Sequence, residues 1–331
     1  MPVVAVDAMG CRGDVGPAVE GVAELSLESD IQVVLVGAAD RIQRALEETS
    51  YNPENIDILD APEAPLDVSE APDRALARSS RSSLAVAVKL VTDGAADTLV
   101  SAGNTRALWR MCLRSWPLRR GVGHAAVAAV FPRHVDERGR DPLALILDVG
   151  ATVRCTADTL FQFGVMGSAY ARCVSRVERP RVGLLNMATR RDAGGAVLVE
   201  AHRRLENAAG FEFVGNLEGH ELVAGNADVV VCEGLLGNIV LKMLHGLTAI
   251  AVDLTGAAAQ RGWRWRAGMA MLGSGVERRV PMVEYESYAG APILGFESVP
   301  IYCDPASPAS ALGNAVKLAA KVGRDFGDPL S

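Results

Sequence analysis

The sequence lacks the fingerprints of the common nucleotide and nucleophile chemistries. No G-x-G-x-x-G follows the first apolar run, and neither G-x-x-x-x-G-K-[ST] nor a G-x-S-x-G elbow occurs. These absences remove the ordinary dinucleotide, P-loop and α/β-hydrolase readings. The six cysteines never stand at C-x-x-C spacing, so a structural zinc or a disulfide scaffold has no support. The five histidines are dispersed without H-E-x-x-H, and only His220 lies beside a glycine loop. No metal and no cofactor is therefore expected. Aromatics make up 5% of the chain, no lysine-rich tail is present and the net charge is −7, which argues against a nucleic-acid partner. No uninterrupted apolar run approaches the ~20 residues of a spanning helix, although mean hydropathy is +0.17. The start, MPVVAVDAMG, has no basic region ahead of its apolar run and reads as a strand, so a cytoplasmic protein is expected.

What is present is apolar and alternating. The runs VVAVDAM, IQVVLVG, IDILDA, DTLVSAG, AAVAAVFP, LALILDVG, RVGLLNM, FEFVGN and DVVVCEG read as strands. Most are apolar throughout, the mark of strands covered on both faces. Between them PAVEGVAELSLES, RIQRALEET, SRSSLAVAVKLVTDG, TLFQFGVMGSAYARCVSRV and GAVLVEAHRRLENA carry helical periodicity. The order predicts a three-layer α/β/α fold on a doubly wound, mostly parallel sheet. Five strands run into small polar loops: Asp7–Gly10, Ser101–Thr105, Asp148–Ala151, Gly215–Gly219 and Glu233–Asn238. Loops of this kind bring backbone N–H groups close to an anion or a carbonyl oxygen, and they also simply let strands enter helices. The stretch 159–171, TLFQFGVMGSAYA, is free of charge. Its small residues Gly164, Gly167, Ser168 and Ala169 call for close packing, against a neighbouring element, a second copy or an acyl chain.

Taken together, VAVDAMG…GDVGP, VSAGNT, LDVGATVRC…QFGVMGSAYA, RVGLLN, FVGNLEG, ADVVVCEGLLGNIVLK and YAGAPILG resemble the bacterial acyl-acyl-carrier-protein:phosphate acyltransferases, the PlsX family. The resemblance runs from about residue 3 to residue 320. It implies a fold related to isocitrate and isopropylmalate dehydrogenases and phosphotransacetylase, a single domain over 1–331, and a homodimer. It also implies transfer of a fatty acyl group from acyl-carrier protein to inorganic phosphate, giving acyl phosphate without metal or nucleotide. A thioester is already activated, so such an enzyme need mainly orient the acceptor and stabilise the tetrahedral oxyanion. Carried over, the family positions are Asp7, Gly10, Ser101, Gly103, Asn104, Thr105, Asp148, Gly150, Gly215, Asn216, Glu218, Gly219, Gly237, Asn238 and Lys242. Asn104 and Asn238 are expected to contact carbonyl or acceptor. Lys242 is either a cation near an anionic group or a surface lysine.

Several loops depart from the family pattern. Arg106 replaces the glycine of S-A-G-N-T-G and either blocks a phosphate or clamps it. Asp304 and Pro305, ahead of Ser307, stand where the family carries His-Gly, removing a backbone donor and adding a negative charge. The glycine–glutamate loop has become MATRRDAGG, Ser79 and Ser80 replace basic residues between Arg78 and Arg81, and Cys11-Arg12 is inserted in the first glycine loop. The family places an amphipathic protrusion at about 254–282. Here it carries Trp263 and Trp265 among Arg261, Arg264 and Arg266, a composition suited to an acidic carrier, to weak peripheral contact with an anionic membrane, or to dimer packing. The expected activity is acyl transfer to phosphate. The alternatives are a different small acceptor in a specialised acyl pathway, or a silent carrier-binding subunit.

Overall fold

A computed structural model describes residues 1–12, 14–61, 81–134, 141–260 and 290–325. In chain order these form β1 (Val3–Asp7), α1 (Gly16–Glu28), β2 (Gln32–Gly37), α2 (Ala39–Glu47), β3 (Ile56–Asp60), α3 (Ser83–Thr92), β4 (Thr98–Ser101) and α4 (Thr105–Ser115). They continue as β5 (Ala126–Pro132), β6 (Leu143–Leu147), α5 (Ala157–Val174), β7 (Arg181–Leu185), α6 (Gly195–Glu206), β8 (Glu212–Leu217), β9 (Val229–Val231) and α7 (Gly234–Gln260). The last elements are β10 (Ala291–Leu294), β11 (Ile301–Tyr302) and α8 (Ala309–Asp325). All nine expected strands form. The chain expected as one domain divides into two compact units, 1–125 with 286–331, and 126–285.

The first unit orders its strands β3-β2-β1-β4-β11-β10, all parallel except the β10–β11 pair. β1 buries Val4, Ala5 and Val6 almost completely, as its unbroken apolar run requires. α1 packs against α8, and α3 against α4, with α3 and α8 also resting on β1 and β4. Ser82 caps α3 by accepting the Ala85 N–H, so the serine-rich run marks a helix start.

The second unit orders β5-β6-β9-β7-β8, with β5 and β6 antiparallel and the rest parallel. α5 begins at Thr156, whose hydroxyl accepts the Thr159 N–H. The charge-free stretch inside α5 packs within its own unit. A Cβ on Gly164 would meet Leu205 of α6 at 2.6 Å, and one on Gly167 would meet Val229 of β9 at 2.5 Å. At the other end of the sheet, Asp228 accepts hydrogen bonds from Arg133 and Arg181, forming a buried clamp.

α7 departs from the sequence expectation. Its segment Gly234–Ala251 is long and apolar enough to cross a membrane by length and composition, with mean hydropathy 1.4. No single uninterrupted run reveals it, because Asn238, Lys242 and His245 break the apolar pattern. Leu235, Ile239, Met243, Leu247, Ile250 and Leu254 form an exposed apolar stripe along it. The protrusion expected from 254 to 282 lies, beyond α7, outside the described residues.

Candidate functional site

The sequence-predicted residues fall into two constellations, one in each unit. In the first, Asp7 closes β1 with its carboxyl buried. Ser83, in the first turn of α3, donates from Oγ to Oδ1 at 2.6 Å, and Ser101, closing β4, donates to Oδ2 at 2.7 Å. The Met9 N–H adds a longer bond to Oδ1 at 3.3 Å. Burial pushes the Asp7 carboxyl above its ordinary value, and the hydrogen bonds pull it partly back. Ser101 Oγ also accepts the Gly103 N–H at 3.1 Å, so one aspartate sets both the end of β4 and the loop after it. Gly10 lies against that loop backbone to backbone: a Cβ there would sit 2.5 Å from Gly103 N.

Asn104 is the N-cap of α4. Its Oδ1 accepts the N–H groups of Arg106 at 2.9 Å and Ala107 at 3.1 Å. With the oxygen turned into the helix, the amide NH2 is the group left to meet a carbonyl or phosphate oxygen. The same cap consumes the Arg106 N–H, so residue 106 offers no backbone donor, and its exposed guanidinium does not fill the loop. Thr105 hydrogen-bonds Tyr302, a residue that sequence reasoning passed over. Asp304 turns back on its own loop: Oδ1 accepts the Ala306 N–H and its carbonyl accepts the Ser307 N–H, both at 2.9 Å. The Pro305 carbonyl accepts the Arg12 N–H at 2.8 Å, which ties the inserted residues to the altered loop.

The second constellation is built on Asp148, which directly follows β6 and is fully buried. Its Oδ1 accepts the N–H groups of Val127, Gly150 and Ala151, and its Oδ2 accepts that of Thr152. Burial raises this carboxyl, against those backbone bonds. The first turn of α7 lies directly on this loop. The Gly234 N–H donates to the Thr152 carbonyl at 2.9 Å, and a Cβ on Gly237 would overlap the Asp148 carbonyl oxygen. Asn238 spends one amide hydrogen on the Val149 carbonyl at 3.1 Å and lies beside Gly150, whose φ is +142°. Lys242 is exposed one turn further along α7, and Arg154 is an exposed cation on the loop that sequence reasoning missed.

Four predicted residues, Gly215, Asn216, Glu218 and Gly219, belong to neither constellation. Asn216 is buried between His202 Nδ1, 2.9 Å from its Oδ1, and the Arg190 carbonyl, which accepts from its Nδ2 at 2.7 Å. Its amide holds α6 and the MATRRDAGG loop together, so the expectation of substrate contact is corrected to a positioning role. Glu218 forms a reciprocal capping box with Glu221 at a short 3-10 turn, Gly219–Glu221. His220 is exposed on that turn, 3.8 Å from Glu218.

Five of the six cysteines do not have the setting of a covalent nucleophile. Burial pushes the Cys11 thiol up to about 11 and the Cys155 thiol up to about 12, and raises Cys112, Cys232 and Cys303 further. Among the described residues no group of His, Cys, Asp and Glu is placed to hold a metal ion. What the site offers is amide donors, helix N-termini and isolated cations.

Comparison with known proteins identifies the family. The sequence model of the fatty acid synthesis protein family matches residues 3–326. The phosphate acyltransferase of Nitratidesulfovibrio vulgaris strain DP4 is 35% identical over 320 residues, covering 96% of this chain and 90% of the relative. That of Thermosynechococcus vestitus is 36% identical with the same coverage. The chain belongs to the fatty acid synthesis protein, or PlsX, family. Its fold is also that of the phosphotransacetylases. EutD phosphotransacetylase from Staphylococcus aureus aligns with a TM-score of 0.63 at 16% identity, covering 97% of this chain and 94% of that one. A phosphotransacetylase from Streptococcus pyogenes aligns at 0.65 and 18%, covering 96% and 93%. Within a PlsX-family chain the two aspartate-centred loops are the parts to ask for chemistry.

Proposed function

We propose that this protein is an acyltransferase that moves an acyl group from acyl-acyl-carrier protein to inorganic phosphate, releasing acyl phosphate. The observation that carries this reading is the combination of a chain-long family match with loops that offer amide donors, beside Cys11, Cys155, Cys232 and Cys303, whose thiols burial keeps protonated. Phosphate supplies its own nucleophilic oxygen, and a thioester carbonyl needs chiefly a donor for the oxygen that becomes negative. Asn104 Nδ2 suits that donor role, and Arg106 suits a phosphate oxygen. Asp7 and Asp148 position the loops; their oxygens are already hydrogen-bonded and act on no substrate atom. The carbonyl carbon gains a phosphate oxygen, and the carrier thiolate leaves and takes a proton from solvent.

A homodimer through the exposed stripe of α7 belongs to the same reading, because apolar residues recurring over five turns are unfavourable against water. A second reading keeps the donor and changes the acceptor; the Asp304–Pro305 replacement, which adds a negative charge and removes a backbone donor, favours it. One experiment separates them: acyl-carrier proteins of several chain lengths are mixed with the protein, with and without phosphate, and hydroxylamine traps acyl phosphate. Phosphate-dependent hydroxamate is the expected result. Deacylation without hydroxamate selects another acceptor or water, and a carrier that stays acylated rejects enzymatic transfer.

A further inference from the structure

β1, β4 and β11 end together. Ser101, closing β4, is in register with Asp7 of β1 on one side and with Tyr302 of β11 on the other. Side chains in register on neighbouring strands project to the same face, so Asp7, Ser101 and Tyr302 form a row across the carboxyl ends of three strands. Asp7 and Ser101 are buried, and Tyr302 is half-buried. The loop after β4 is tied to this row twice. The Gly103 N–H donates to Ser101 Oγ at 3.1 Å, and the Thr105 hydroxyl shares a hydrogen bond with the Tyr302 hydroxyl. Asn104, between these two residues, is exposed and caps α4 with its amide oxygen. Burial pushes the Tyr302 phenol above its ordinary value, so it keeps its proton at neutral pH. Residues 305–307, just beyond, present no backbone donor to a ligand: Pro305 has none, and the N–H groups of Ala306 and Ser307 are bonded to Asp304. The far end of α4 has its own anchor, where Trp116 Nε1 donates to Thr92 Oγ1 of α3 at 3.1 Å.

We propose that Tyr302 is a positioning residue, which through Thr105 holds the first turn of α4 and so keeps the Asn104 amide where it meets the thioester oxygen. For the use of that amide, the inference rests on the acyl-transfer reading given above. Asn104 is exposed, so packing does little to fix it, and its two chain neighbours carry the bonds that do. Both bonds end on the same register pair, Ser101 and Tyr302, which makes the paired strand ends a single support for the loop. Precision matters there, because misplacing a contact group by about 1 Å can cost on the order of a hundredfold in rate. Direct action of the phenol on the substrate fits less well, because its hydroxyl is already bonded to Thr105. A role in stability alone also fits less well: Trp116 anchors the other end of α4, and Ala107, Leu108, Met111 and Cys112 bury one side of the helix without help from Tyr302.

The test uses Tyr302→Phe, Thr105→Val and the double variant in the full chain, with Thr105→Ser as the control that keeps a hydroxyl. Amide hydrogen exchange is followed residue by residue by NMR, and turnover by phosphate-dependent hydroxamate from acylated carrier. Each single variant should speed exchange about tenfold at Arg106 and Ala107, the amides that Asn104 caps, and leave Gly150 and Ala151 of the Asp148 loop unchanged. Each should lower kcat about tenfold with little change in KM for acylated carrier, a split that lost stability alone does not produce. The double variant should match the singles, because both remove the same bond. Thr105→Ser should recover most of what Thr105→Val loses. Unchanged exchange at Arg106 and Ala107 overturns the proposal, as does unchanged kcat in an active enzyme or an additive loss in the double variant. A fall in kcat with Tyr302→Phe but not with Thr105→Val also overturns it, since the phenol would then act on the substrate itself. If the native chain forms no hydroxamate, the acyl-transfer reading fails and exchange alone decides. Faster exchange in both variants then keeps Tyr302 as the residue that holds Asn104, and unchanged exchange rejects it.

Discussion

Each unit uses a buried aspartate, Asp7 closing β1 and Asp148 just after β6, to set a glycine loop, and the two differ in what holds the carboxylate. Asp7 in the first unit is held mainly by two hydroxyls, from Ser83 and Ser101. Asp148 in the second is held by four backbone N–H groups, and the first turn of α7 is pressed on its loop. A hydroxyl can rotate and exchange donor for acceptor, whereas an amide N–H fixed in a loop cannot. The first loop system is therefore adjustable and the second is not. Departures from the family pattern occur in both units: Arg106, Cys11-Arg12 and Asp304–Pro305 fall in the first, and the MATRRDAGG loop falls in the second.

The largest expected effect breaks the rigid side. Gly237→Ala places a methyl on the Asp148 carbonyl, with backbone on both sides of the overlap and no flexible side chain to yield. The cost should reach about 3 kcal/mol or more, at the upper end for forced overpacking. Urea denaturation followed by tryptophan fluorescence and by far-UV dichroism measures it; a loss below about 1 kcal/mol would mean that α7 is not held against the loop.

The next effect compares the two aspartates directly. In Asp148→Asn, an amide NH2 replaces the oxygen that accepts the Thr152 N–H, setting donor against donor in a buried site. The expected destabilisation is about 2 kcal/mol. In Asp7→Asn the new NH2 faces Ser101 Oγ, which can turn and accept, so the expected cost is under about 1 kcal/mol. Equal costs from matched denaturation curves would remove the distinction between the two loops.

A smaller effect concerns ligand affinity. Arg106→Gly should raise KM for phosphate about fivefold, or about 1 kcal/mol, through loss of a solvent-exposed charge-assisted contact. Stability should stay within about 0.5 kcal/mol, because the guanidinium is exposed and the Asn104 cap uses only the backbone of residue 106. Initial rates against phosphate concentration decide it, and a fall in KM would assign Arg106 to blocking phosphate.

Much of this contrast is legible in the sequence, and its limits have physical causes. The nine strands stand out because strands covered on both faces are apolar throughout, and the glycine loops stand out because they end those strands. α4 does not stand out as a helix: four of its eleven residues are Arg106, Trp109, Arg110 and Arg114, which blur the apolar stripe of 107, 108, 111 and 112. Asn216 misleads because its partners, His202 and the Arg190 carbonyl, lie 14 and 26 residues away and only folding brings them to its amide. Ser83 is visible within RSSRSS, but its bond to Asp7 spans 76 residues. Residue type locates a loop; what its side chain is already bonded to is set by tertiary structure, and that decides whether the group is available to a ligand.

The smallest predicted effect is a pH dependence that sharpens the description of Asp7. Its folded pKa is raised above the ordinary 3.8, with burial the leading cause. A carboxyl with a raised folded value contributes stability that is fully present below the unfolded pKa and is lost as pH rises through the folded one. Asp7→Asn removes that titration, so its cost relative to the native chain should be greatest near pH 4 and shrink towards neutrality. Denaturation curves for the two proteins at matched pH between about 4 and 8 should converge as pH rises. Divergence with rising pH would mean that the hydroxyls of Ser83 and Ser101 hold ionised Asp7 better than water does.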